Sequence, residues 1–236
     1  MKKILAIVLA LVMVFSFAAC GKKDNGGKEV DYSAKSEGVM TYAEYAAAAV
    51  DDEVTVEVFV QDHQSWWDGK MTVYAADPDG AYFFYELKVD EADAEKFTPG
   101  TKIIVTGYTA EYAGEQEVAQ GTFEFCEEGS GYIAEAVDAT AWFGTEELEK
   151  HMNEYISVKA KFVSLSYKQS DYDKDIYVKV EVNGAEYDLC VENYLTGPDT
   201  EVYKTVEGLQ AGDEVTLTGF NYWYNGPNMH ITGCTK

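Results

Sequence analysis

Few residues of this 236-residue chain could carry chemistry, and they are scattered. His63, His151 and His230 fall in separate segments, without the HExxH spacing that sets two imidazoles on one helix face around zinc. No nucleophile elbow, P-loop or GxGxxG turn is present in the sequence. "SDYDKDIY" sets Asp171, Asp173 and Asp175 at alternating positions, like the first ligands of a calcium loop. The sixth position is Ile176 where that loop needs glycine, and the twelfth is Val182 where a bidentate Glu belongs. A solvated acidic loop is therefore expected. So is a protein that binds rather than catalyses, with no cofactor and no metal.

The remaining chemistry is aromatic. "HQSWWDGK" sets Trp66 and Trp67 side by side, Tyr112 precedes Ala113-Gly114, and "NYWYNGPN" carries Tyr222, Trp223, Tyr224 and Asn225. Flat rings flanked by Asp68, Asn221, Asn225 and Asn228 suit stacking on sugar rings, with polar side chains taking hydroxyls. Trp66, Trp67, Tyr112, Tyr222, Trp223, Tyr224 and Asn225 are the candidate ligand-binding residues. Neighbours in an extended segment face opposite ways, so one of Trp66 and Trp67 is expected in a core and the other at the surface. The chain holds 18 tyrosines, so the competing expectation is that these aromatics simply pack domains together.

The elements that must position them come in two copies. "FTPGTKIIVTGYTAEYAGE" from Phe97 aligns without gaps to "LQAGDEVTLTGFNYWYNGP" from Leu209, matching Gly100 to Gly212, Thr106-Gly107 to Thr218-Gly219 and Tyr112 to Tyr224. Ahead of the first anchor, "VTVEVFV" alternates Val54, Val56, Val58 and Val60, the period of a half-buried strand. "KMTVYAA" and "AYFFYELKV" then flank Asp77-Pro78-Asp79-Gly80, a hairpin turn signal. A short helix over 90–96 and strands over 101–110 and 115–125 complete the copy. The second copy runs "YISVKAKFVSL", "DIYVKVEV", an Asn183-Gly184 turn, "AEYDLCVE", a helix near 199–207, and strands near 213–223 and 228–234. Three meandering strands, a helix and two more strands is the order of the OB-fold, a small Greek-key barrel that binds ligands between the loops after its first and fourth strands. The fold class expected is mainly β, two tandem five-stranded OB-like Greek-key barrels with short helices. The domains span 41–143 and 144–236. Thr41 to Glu44 has capping-box spacing before the first, and Thr145 precedes "EELEKHM" before the second.

The chain opens "MKKILAIVLALVMVFSFAAC": two lysines, an apolar run shorter than the roughly 20 residues of a spanning helix, and a cysteine. Residues 1–19 read as an export signal, and the Gly- and Lys-rich stretch over 20–40 as a flexible tether. Phe17-Ala18-Ala19-Cys20-Gly21 resembles the lipobox of bacterial lipoproteins, which implies lipid attachment at Cys20, with ordinary secretion as the alternative. With "TYAEYAAA", "QSWWD", "DGAYFFY" and "YWYNGPN", the chain resembles a loose group of bacterial surface lipoproteins with tandem OB-like domains. That group has no established activity, so the resemblance implies fold and location: a membrane-anchored, extracytoplasmic protein. The function expected is binding of a glycan or another envelope ligand through the aromatic rims. The alternative is an assembly lipoprotein that uses the same rims for a protein partner.

Charge bears on partners. The chain carries 18 Lys+Arg, all of them lysine, against 42 Asp+Glu; without Lys2 and Lys3 the balance is 16 minus 42, or −26. No arginine fork is available for phosphates or guanine edges, and so acidic a body repels a phosphate backbone; nucleic acid is not an expected partner. Cys126, Cys190 and Cys234 lie in apolar strand contexts and are expected as buried thiols.

Overall fold

The computed structural model describes residues 30–127, 129–168 and 174–236. The signal segment, Cys20, most of the tether, and Asp171 and Asp173 lie outside the described residues.

Helix α1, Tyr42–Ala46, starts where the capping box places it. The Glu44 N–H donates to Thr41 Oγ1, and the Thr41 N–H donates to Glu44 Oε2 at 2.8 Å. Five strands and a short helix follow: β1 Glu53–His63, β2 Lys70–Asp77, β3 Gly80–Lys88, α2 Glu91–Ala94, β4 Lys102–Tyr112 and β5 Glu115–Phe125. They hydrogen-bond in the order β1-β2-β3-β5-β4, and β4 returns to β1, closing a barrel. Because side chains alternate across a strand, Val54, Val56, Val58 and Val60 all point inward and are buried with Phe84, Leu87, Ile103 and Val105. Each such side chain contributes about 1.5–3 kcal/mol by leaving water.

The chain from Tyr32 onward is packed on this barrel, where a tether through residue 40 is expected. Tyr32 sits edge-on to Phe59 with ring centroids 5.5 Å apart, and Lys35 Nζ lies 2.5 Å from Asp77 Oδ2. The reason is electrostatic. Asp77 is buried, accepts N–H bonds from Asp79 and Gly80 to hold the β2–β3 turn, and needs a cation beside it.

The second set comprises β6 Val137–Asp138, a 3₁₀ turn Thr140–Trp142, α3 Glu147–Lys150, β7 Tyr155–Tyr167, β8 Ile176–Val182, β9 Ala185–Val191, α4 Glu201–Glu207, β10 Glu214–Phe220 and β11 His230–Thr235. Its sheet runs β10-β11-β9-β8-β7-β6, with β10 also paired to β7, so β7 to β11 repeat the ring of the first barrel. The two-residue β6, parallel to β7, is too short to show a period in the sequence. The repeated mid-strand glycines have a packing cause. Both ladders shift register beside them, and a Cβ on Gly107 would press on Val118 while one on Gly219 would strike the His230 carbonyl.

The barrels meet through aromatic side chains. On the outer face of β2 and β3, Tyr74 and Phe83 pack with Phe220 of β10, and Tyr74 stacks on Phe220 at 4.4 Å between centroids. Backbone bonds flank this contact: Ser65 N–H to the Tyr194 carbonyl at 2.8 Å and Asn225 N–H to the Ala113 carbonyl at 2.6 Å.

Candidate ligand clefts on the two barrels

In each barrel the outward residues of its second and third strands form the face that an OB-fold offers to ligands. In the second barrel, among the described residues, this face is left as a cleft. Alternation on β8 and β9 sends Val178, Val180, Leu189 and Val191 inward and leaves Tyr177, Asp188 and Cys190 outward, with Tyr177 directly opposite Cys190. The loop over 221–229 rises on one side, and Tyr112 reaches in from the β4–β5 turn of the first barrel. Together they enclose a cleft of about 870 Å³, lined also by Glu186, Tyr187, Tyr222, Tyr224, Asn225, Asn228 and His230. Tyr112 and Tyr224, equivalent residues of the repeat, meet across the barrels with centroids 6.0 Å apart.

The wall of this cleft is fixed from behind. Glu115, wholly buried, accepts the Trp223 N–H at 2.7 Å through Oε2, while its Oε1 has no hydrogen-bond partner. Burial pushes its pKa up to about 8, against the lowering effect of the nearby Asn153 side chain and of the Trp223 N–H, and the nearby Glu117 adds to the rise. His230 lines the floor and is buried. Its Nδ1 lies 2.6 Å from the Tyr74 hydroxyl, and its ring stacks on Tyr222 at 4.2 Å. Desolvation holds its pKa down at about 3, so the ring is neutral; with Gln64 Nε2 donating to the Tyr74 oxygen, the phenol is placed to donate to Nδ1. Tyr222 and Tyr74 are raised above the usual phenol range, first by burial and then by Glu115 and Glu192 respectively. Lysines offset part of the cleft's negative charge: Lys179 lies 2.8 Å from Asp188, and Lys168 lies 3.3 Å from Asp175.

The first barrel's corresponding face is half shut, since Tyr74 and Phe83 are covered by the second barrel. What stays open is a cleft of about 600 Å³ lined by Trp67, Met71, Tyr85, Glu86 and Tyr194. Here the tryptophan pair divides. Trp66 packs against the first core and donates its indole N–H to the Val89 carbonyl at 2.7 Å, whereas Trp67 is 80 % exposed.

The sequence-derived candidates therefore fall into separate places. Tyr112, Tyr222, Tyr224 and Asn225 come together in the second-barrel cleft, Trp67 stands in the other, and Trp66 and Trp223 pack against the two cores. His230, Tyr85 and Tyr194 are among the lining residues that were not legible as site residues. Only the strand pattern around His230, with Met229 and Ile231 beside it, hinted that it belonged to a sheet. Among the described residues no group of three metal-ligating side chains comes together and no disulfide forms; Cys190 is buried, while Cys126 and Cys234 are half-buried.

No protein-family model matches the chain, and no curated protein matches it. Solved structures with a similar trace include the p204 HINb domain, at 12% identity and TM-score 0.38, covering 78% of this chain and 95% of that one. Another is the Ifi202 HINa domain in complex with 20bp dsDNA, at 12% identity and TM-score 0.35, covering 77% of this chain and 92% of that one. A third is a Replication Protein A heterotrimer bound to ssDNA, at 13% identity and TM-score 0.31, covering 80% of this chain and 51% of that one. The likeness is one of fold.

These comparisons correct the sequence reading of function, partners and location. Two of these structures were solved with DNA, and the expectations of a lipid-anchored, extracytoplasmic module for a glycan or envelope protein, and of an assembly lipoprotein, are withdrawn. The anchor rested on Cys20, outside the described residues. The exclusion of nucleic acid falls as well, and its physical flaw is clear. Net charge is a sum over the whole surface that governs long-range steering, and it is screened over roughly 8 Å at physiological salt. Contact is decided by one face, and in OB-folds much of it is stacking on aromatic rings.

Proposed function

We propose that the chain binds, rather than transforms, a small planar ligand bearing N–H donors, on the outer β8–β9 face of the second barrel. One observation carries this reading: of two equivalent faces, the first is packed against the neighbouring barrel at Tyr74 and Phe83, while the second is left as a cleft of about 870 Å³. That volume lies within the roughly 300–1,000 Å³ of small-molecule sites. Tyr112 and Tyr224 offer ring faces for stacking. The polar lining is weighted toward acceptors, with Glu186 and Asp188 carboxylates beside the amides of Asn225 and Asn228, and it suits a ligand edge rich in N–H.

The test is a thermal-shift and calorimetric panel on the full chain containing benzamidine, benzamide, adenine and a short single-stranded DNA. Saturable binding of a planar donor that weakens at least roughly tenfold in Tyr224→Ala supports the reading. Binding of no panel member, or binding indifferent to that substitution, overturns it.

A further inference from the structure

The cleft left on the first barrel has a different chemistry, and it stands independently of the second-barrel reading. Trp67 stands outward on a hydrogen-bonded turn. Its backbone exchanges both hydrogen bonds with Lys70, at 2.9 and 3.0 Å, around Asp68 and Gly69 at φ 49° and 79°, the geometry of a tight I′ hairpin turn. Trp66, pinned by its indole bond to Val89, fixes the other side of that turn. Tyr85 stands on the outer face of β3, and Tyr194 is held by its carbonyl, which accepts from both Ser65 N–H and Ser65 Oγ. The three rings are 80 %, 45 % and 45 % exposed around a void of about 600 Å³, and among the described residues none stacks on another ring. Three aromatic side chains thus share the lining of one space.

Charge selects the occupant. At the rim Lys70 pairs with Glu86 at 2.6 Å, but Asp68 is also close to Lys70, and Glu117 is close enough to Glu86 that their charges interact. Glu86 and Lys70 are the charged residues that line the cleft; around them Asp68 and Glu117, against Lys88 opposite Lys70, leave the surroundings negative, on a chain of net charge −24. Aromatic faces plus net negative charge favour a cation with a bulky, weakly hydrated head over a neutral or anionic guest. We propose that Trp67, Tyr85 and Tyr194 form a cage for a small soluble alkylammonium ion, with Glu86 as its counter-charge and Met71 as its floor.

Choline and its neutral isostere 3,3-dimethylbutan-1-ol distinguish a cage for cations from a merely greasy cleft. Calorimetric titration of the full chain should show saturable choline binding, with the alcohol at least roughly tenfold weaker. Trp67→Ala should abolish most of that binding with little change in the melting temperature, because the side chain is already largely in water. Glu86→Gln should weaken choline, Lys70→Gln should strengthen it by releasing Glu86, and Tyr224→Ala in the other cleft should leave it unchanged. Equal binding of the alcohol, no saturation with choline, or full binding in a folded Trp67→Ala protein overturns the proposal. So does capture by phosphatidylcholine vesicles without binding of free choline, which would make the guest a lipid headgroup.

Discussion

The Tyr74 hydroxyl of one barrel meets His230 Nδ1 of the other at 2.6 Å, both groups buried. This bond joins the closed face of the first barrel to the floor of the open cleft on the second. Tyr74→Phe keeps the ring stack on Phe220 but strands the imidazole nitrogen without its donor. A buried acceptor left unmade costs about 1–3 kcal/mol. Urea unfolding of the variant should show that loss with an unchanged slope.

The tryptophan pair should respond unequally. Trp66→Ala removes a core-packed indole and its bond to Val89 and should cost about 3 kcal/mol or more. Trp67→Ala removes a side chain that is 80 % exposed and should fall within about 1 kcal/mol of the parent. Equal losses in chemical denaturation would mean that Trp67 is buried in solution.

Glu115 and His230 give the pH dependence opposite slopes. Glu115, raised to about 8 by burial, keeps its proton in the folded state where the unfolded chain has lost it. Its contribution is full below the unfolded carboxyl value and is lost as pH rises through about 8. His230, held near 3 by desolvation, stays neutral in the fold, so its contribution is present above the unfolded imidazole value and is lost as pH falls toward 3. Glu115→Gln should flatten the alkaline decline by on the order of a few kcal/mol between pH 5 and 9 while leaving the acid limb in place. An alkaline limb identical to the parent's would show that Glu115 is ionised in the fold without penalty.

Strand order, the repeat and the capping box were legible because each rests on local pattern: alternation in Val54 to Val60, an Asn183-Gly184 turn, a Thr41 three residues before Glu44. The barrel contact was not. Tyr74 and Phe83 occupy outward strand positions, where an aromatic that packs on a neighbouring domain and one that waits for a ligand have the same sequence pattern. The same ambiguity hid Tyr85, which remains open one pair further along β3. Glu115 looked like an ordinary strand-end acid, since nothing local reveals that loop 221–226 folds over it. Alternation showed that Trp66 and Trp67 must part, but not which turns inward, nor that Trp223 packs on the second core while Tyr112 and Tyr224 turn away.

The most direct test of the open-face account is amide-resolved NMR of the full chain during titration with the tightest binder of the planar panel. Saturating shifts are expected in β8, in β9 and over residues 221–229, with Tyr112 moving alongside Tyr224 and the hairpin at Trp67 unperturbed. Shifts confined to the first barrel, with the β8–β9 face silent at saturation, would contradict it.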